Sequence, residues 1–190
     1  MTQENPICII YFSRTGHSEK IAKDLSEKLP SDLVKISEGF SRDSVAAYWY
    51  SFNEHYFGKD NSSYLNKEPF ENISKYKAFI FIGPIWWWGL NAPVKNACEE
   101  VAKKITKDQH VFLGLSFAGK MNPGDKGSYE DFVKIFKDKT TIHHDYLGCQ
   151  ENWYAEGKYK DKVLAFENEV LEACGLPKLT EEKKEVKEDN

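Results

Sequence analysis

Short apolar runs alternate with longer stretches of helical period along the whole chain. Residues 7–12 (ICIIYF), 33–36 (LVKI), 78–82 (AFIFI) and 111–115 (VFLGL) have the length and apolar density of strands, and residues 141–147 (TIHHDYL) give a weaker fifth. The first and third are apolar throughout, as strands covered on both faces must be. Between them, residues 18–29 place Ile21, Ala22, Leu25 and Leu29 at helical spacing, and residues 93–105 do the same with Val94, Ala97, Cys98, Val101, Ala102 and Ile105. Residues 128–136 read as a helix opened by a capping box, with Ser128 as N-cap and Asp131 three residues on. A last helix over about 160–174 stops at Gly175 and Pro177. The alternation predicts an α/β architecture with a parallel sheet between two helical layers. Residues 41–58 break the pattern with an aromatic-rich stretch, read as a helix starting near Asp43. Its Tyr48, Trp49, Tyr50, Phe52, Tyr56 and Phe57 are expected to pack onto the sheet, the alternative being a surface for a ligand or a partner subunit.

At 190 residues, 41% hydrophobic and 14% aromatic, the chain can bury one sizeable core. A single domain over residues 1–179 is expected, followed by a polar tail over 180–190. A formal charge of -4 supplies no basic field for nucleic acid or anionic lipid. No apolar run approaches the roughly 20 residues of a membrane span, and the opening MTQENPICIIYF lacks the basic start of a signal peptide, which reads as a cytoplasmic protein. Cys8, Cys98, Cys149 and Cys174 form no CxxC pair and are expected to be free, buried thiols. His143 and His144 are adjacent on a strand and point to opposite faces, so they are poor joint metal ligands; with His55 and His110 they read as structural or surface residues, and no metal site is expected.

Chemistry concentrates at three strand ends. Residues 10–18 (IYFSRTGHS) run from the first strand into an amphipathic helix. A phosphate placed there meets unpaired amides and the positive end of the helix dipole. Ser13, Thr15 and Ser18 offer hydroxyls, and Gly16 allows the backbone to turn closely round an anion. No GK[ST] ending and no GxGxxG is present, so one phosphate fits better than two. A plain N-cap is the alternative reading. After the third strand comes GPIWWWG, residues 83–89, and three consecutive indoles at a strand end suit a flat apolar ligand.

Ser13, Arg14, Thr15, Gly16, His17 and Ser18 together resemble the S/T-x-T-G-x-T phosphate loop of flavodoxins. Pro84, Ile85, Trp86, Trp87, Trp88 and Gly89, followed by NAPV, resemble the G-x-P-x-W-W-G...P-V ring-binding loop of flavodoxin-like proteins, with one extra Trp. Ser116, Phe117, Ala118 and Gly119 stand where that family contributes its third loop. The resemblance implies a flavodoxin-like three-layer αβα sandwich with a five-stranded parallel sheet of order 2-1-3-4-5. It also implies noncovalent FMN held by these three loops, with no catalytic side chain required. Lys120 or Lys126 would then add positive charge at the ring. The implied partner is a redox protein or a small electron acceptor such as a quinone, and a homodimer is left open. Three functional readings stand: an electron-transfer or oxidoreductase flavoprotein, an NAD(P)H-dependent quinone or nitro reductase, and a flavodoxin-like binding module that has lost FMN.

Overall fold

The computed structural model describes residues 5–39, 41–42, 44–58, 61–119 and 124–180, without the side chains of Val45 and Tyr48. Asp43, Lys120 and residues 181–190, on which sequence expectations fell, lie outside the described residues.

The chain begins with β1 (Ile7–Tyr11), α1 (His17–Ser26), β2 (Ser31–Lys35) and α2 (Val45–Phe57). Next come β3 (Ala78–Trp86), β4 (Gly89–Leu90), α3 (Ala92–Ala102), β5 (His110–Phe117) and α4 (Asp125–Phe136). It ends with β6 (Thr141–Ile142), β7 (Leu147–Gln150), α5 (Glu151–Ala155) and α6 (Lys160–Ala173). β1 pairs in parallel with both β2 and β3, and β3 in parallel with β5.

Because β3 and β5 are apolar at nearly every position, alternate side chains feed two separate cores. On one face Phe79, Phe81, Val111, Leu113 and Leu115 meet Val94, Ala97 and Val101 of α3 and Phe132 and Phe136 of α4. On the other, Ile7, Ile9, Ile80, Ile82 and Phe112 meet Ile21 and Leu25 of α1 and Phe166 and Val170 of α6. The three-layer α/β class therefore stands.

The strand count is corrected. The sheet has seven strands in the order β2-β1-β3-β5-β6, with β4 added on β3 and β7 on β5, rather than five in the order 2-1-3-4-5. Two local causes account for the difference. The extra Trp of the GPIWWWG segment lets the chain reverse, so that Ile85 pairs with Leu90 and Trp86 with Gly89, antiparallel. The weak fifth strand breaks in two: Ile142 is opposite Val111 and Leu147 opposite Gly114, so five steps (142 to 147) face three on β5 (111 to 114). The polar residues in the break find partners off the sheet. His143 Nδ1 bonds Glu169 of α6 at 2.7 Å, His144 Nδ1 bonds the Tyr129 hydroxyl of α4 at 2.7 Å, and the Tyr146 hydroxyl donates to Asp125 at 2.7 Å. The two histidines thus diverge, although neither lies in a strand.

Two further expectations fail. Ser128 is not an N-cap: α4 starts at Asp125, and the fully buried Ser128 donates to the Gly124 carbonyl at 2.7 Å from within the first turn. Nor do Trp49, Tyr50, Tyr56 and Phe57 of α2 pack onto the sheet, since all four are exposed, while the half-buried Phe52 lies against Trp87. The four cysteines are free and buried, and burial pushes the Cys8 and Cys149 thiols up to about 12. Among the described residues no helix is long and apolar enough to cross a membrane.

Candidate functional site

The loops leaving β1, β3 and β5 emerge at the same, carboxyl end of the parallel sheet. The first is short. Ser13 Oγ accepts from the Gly16 amide at 3.0 Å, folding the loop on itself, and Gly16 enters α1 at φ 90°, a left-handed conformation that favours glycine. Among the described residues no side chain caps α1 and none lies within 4 Å of where a Cβ on Gly16 would stand, so they leave this amide-rich terminus accessible. Arg14, Thr15, Gly16 and His17 are exposed. Ser18 behaves differently: it is buried, and its hydroxyl shares a 2.8 Å hydrogen bond with that of Ser116. Of the three hydroxyls that sequence assigned to an anion, this one instead joins the first loop to the third.

The second loop is a hairpin whose two turn residues, Trp87 and Trp88, have φ of 52° and 63°. Positive φ at both centres is what a two-residue turn matched to strand twist requires, and Asn-Gly is its usual sequence. Trp side chains there carry strain of order 1–3 kcal/mol each. The three indoles part company. Trp86 is half-buried and stands nearly perpendicular to Phe12, with ring centres 5.4 Å apart, and the Arg14 guanidinium lies 5.7 Å from its ring. Trp87 turns the other way, 5.1 Å from Phe52 and 6.4 Å from Tyr56 of α2. Trp88 is 57% exposed, and its backbone fits so closely against the start of α4 that a Cβ on Gly124 would lie 2.6 Å from its Cα. Asn91 fixes the hairpin base, donating to the Pro84 carbonyl at 2.6 Å while accepting from Val94 N at 3.1 Å as the cap of α3.

In the third loop Ser116 is buried, Phe117 half-buried, and Ala118 and Gly119 exposed. Gln150 supports it, donating to the Ala118 carbonyl at 2.9 Å while capping α5 through Trp153 N at 2.8 Å. The next residue, Glu151, lies 3.3 Å from His17 and brings a carboxylate to the first loop.

Sequence reasoning did not find Gln150, Glu151 or a buried ionic cluster beside Trp86. In that cluster Arg42, 4% exposed, donates twice to Glu54 at 2.7 and 2.8 Å, to Glu38 Oε1 at 2.8 Å and also to Glu38 Oε2 through Nε. Asn61 donates to Glu54 at 2.6 Å, and the Arg42 guanidinium stands 5.9 Å from the Trp86 ring. The Glu38–Arg42 spacing of four residues was the available signal, but this stretch is not helical, so the spacing carried no weight.

No protein-family model matches the chain, and no curated protein matches it in sequence. Solved structures do match. A flavoprotein from Lactobacillus acidophilus NCFM, crystallised in complex with FMN, superposes with a TM-score of 0.56 at 18% identity, covering 82% of this chain and 99% of that one. The fold is flavodoxin-like. Oxidised flavodoxin 1 from Bacillus cereus (TM-score 0.55, 11% identity, 87% of this chain and 97% of that one) is similar to the same extent. So is the Trp repressor binding protein from Bacillus subtilis (0.55, 12%, 83% and 96%). In a flavodoxin-like sheet the crevice for a ligand lies outside the carboxyl ends of the strands where the chain order reverses, here between β1 and β3. Ser13 to Ser18 and Pro84 to Gly89 flank that point, and the Ser18–Ser116 bond draws the third loop to it. The residues fit a phosphate attached to a flat ring: open amides and a left-handed glycine for the one, Trp86 and the exposed Trp88 for the other.

Proposed function

We propose that this corner holds FMN and that the protein serves redox chemistry through it. The observation that carries the reading is the convergence of Ser13–Ser18, Trp86 and Ser116 at one strand end, with Trp86 against Phe12 and Ser18 against Ser116. The flavodoxin-like neighbours, one of them an FMN complex, support it.

On this reading the amides at the start of α1, with Ser13 and Thr15, bind the phosphate. Trp86 or Trp88 covers the ring, and the backbone of residues 116–119 bonds its polar edge. When bound, FMN supplies the one- and two-electron chemistry, and the protein orients it and limits water access. Glu151 opposes a dianion, and His17 lies against that carboxylate at 3.3 Å. A visible absorption spectrum of the purified protein tests the reading: flavin bands released on denaturation as the mononucleotide are expected. Failure to bind added FMN at micromolar concentration overturns it and favours a binding module without the cofactor.

The aromatic surface of α2 favours a second assignment, an NAD(P)H-dependent quinone or nitro reductase. Trp49, Tyr56 and Phe57 are exposed, and Tyr56 reaches Trp87, so a flat acceptor could be framed beside the ring. Steady-state NAD(P)H oxidation with a quinone is then expected above background. Its absence returns the acceptor role to a redox protein docking at the same surface. A second copy of the chain would also fit this surface, with light scattering as the check. A cytoplasmic location completes the proposal.

A further inference from the structure

Away from the three loops, on the α1–α6 face of the sheet, a groove of about 1120 Å³ runs between the two helices and under Tyr154 and Tyr159. That volume is of the size that takes a small organic molecule. Its lining carries the carboxylates of Asp24, Glu27, Asp161 and Glu167 and the ammonium groups of Lys28 and Lys160, with Asp24 also paired to Lys20 at 2.9 Å.

Glu167 is decisive. It is 0% exposed, yet its Oε1 accepts no hydrogen bond among the described residues. Among the described residues its one cationic partner is Lys28, at 3.4 Å from Oε1 and 3.5 Å from Oε2, and the Lys28 side chain is 54% exposed. Contacts that long, to a side chain that is half in water, satisfy a carboxylate poorly. Burial accordingly holds the Glu167 carboxyl above its usual range, with Lys28 acting in the other direction. A buried carboxylate short of a donor is destabilising, and a ligand that brings a charged donor relieves it.

The rest of the wall is apolar or aromatic. Val163, Leu164 and Leu179 line the groove, and the Tyr154 ring already has the Lys20 ammonium 5.9 Å from its centre. Phenol rings of this kind attract cations. The Tyr154 hydroxyl is committed to Asp24 at 2.9 Å, so the ring is held in place.

We infer that this groove is a binding site for a small organic cation, an amidinium or primary ammonium on an apolar stem, whose charged end displaces the half-exposed Lys28 ammonium and bonds Glu167 in its place. The site is independent of the flavin corner: it uses other residues and needs no phosphate.

The probe is benzamidine, titrated into the protein as purified and followed by amide NMR shifts, with neutral benzamide as the control. Benzamidine should shift the amides of α1 and α6 that line the groove, saturating at about millimolar concentration, as its few heavy atoms allow. Benzamide should bind at least tenfold more weakly, and so should benzamidine to Glu167→Gln, which keeps the shape of the side chain and removes its charge. Leu164→Trp fills the groove from α6 and leaves the carboxylate in place, so it should abolish the shifts even if Glu167→Gln fails to fold. Absent shifts in groove amides, equal binding of benzamide, or unimpaired binding by a folded variant would overturn the site.

Discussion

Trp88 shows how a single residue can sit against its own backbone preference. Its φ of 63° is a conformation in which glycine is at ease and a large side chain is strained, and more than half of its surface is in solvent. Packing therefore returns little for the strain. Trp88→Gly should raise the free energy of unfolding by about 1 kcal/mol, read as a higher midpoint of thermal unfolding. If the indole covers the flavin, the same change should weaken FMN binding. A drop in stability would show that contacts to α4 outweigh the strain. At this scale the sequence was informative where chemistry depends on composition: the run SRTGHS and the indoles of residues 86–88 could be read directly. It was silent where partnership is long-range. Nothing near Ser18 announced a hydroxyl partner 98 residues away at Ser116.

Among the elements, α2 is the one whose attachment departs most from the rest. Helices α1, α3, α4 and α6 are held by apolar stripes in the two cores, and their spacing made them legible. By contrast α2 turns Trp49, Tyr50, Tyr56 and Phe57 outward and is moored through Ser51 and Glu54 to Arg42. Aromatic residues in a helical stretch look the same in a sequence whether they are buried or not, which is why their packing was misjudged while the helix itself was found. Arg42→Met would leave two buried carboxylates without their cation and should destabilise the protein by about 3–5 kcal/mol in urea unfolding. Adding Glu38→Gln and Glu54→Gln should recover part of that loss. Because Arg42 lies beside the Trp86 ring, the single variant should also disturb the hairpin more than a surface change on α2 does.

Over the whole molecule, the end of the sheet opposite the three loops is fastened by Asp32, which accepts from Lys75 at 2.8 Å, Tyr76 at 2.7 Å and Asn5 at 2.8 Å. These bonds, the one from Lys75 first, lower its carboxyl from the usual 3.8 to about 2. A lowered value in the folded state means the contribution is complete above about 3.8 and is lost as pH falls through about 2. The urea midpoint should therefore fall between those limits more steeply for wild type than for Asp32→Asn. Equal slopes would mean that the clamp adds nothing. That the sheet is parallel could be expected from a resemblance to flavodoxins, since strands buried on both faces are apolar. The hairpin strand β4 and the break between β6 and β7 depend on local φ values and on polar partners from other elements, neither of which leaves a hydrophobic period to read.

That break also bears on how the protein behaves in a crowded solution. A sheet border with a long row of free amides and carbonyls invites strands from other molecules, and aggregation starts there. Here one border offers two residues in β6 and four in β7, and between them the side chains of His143, His144 and Tyr146 bond α6 and α4 while the His143 amide stays on the Val111 carbonyl. The opposite border, β2, carries Asp32 in its clamp and Lys35 paired with Glu19. Neither side leaves a clean template for an incoming chain.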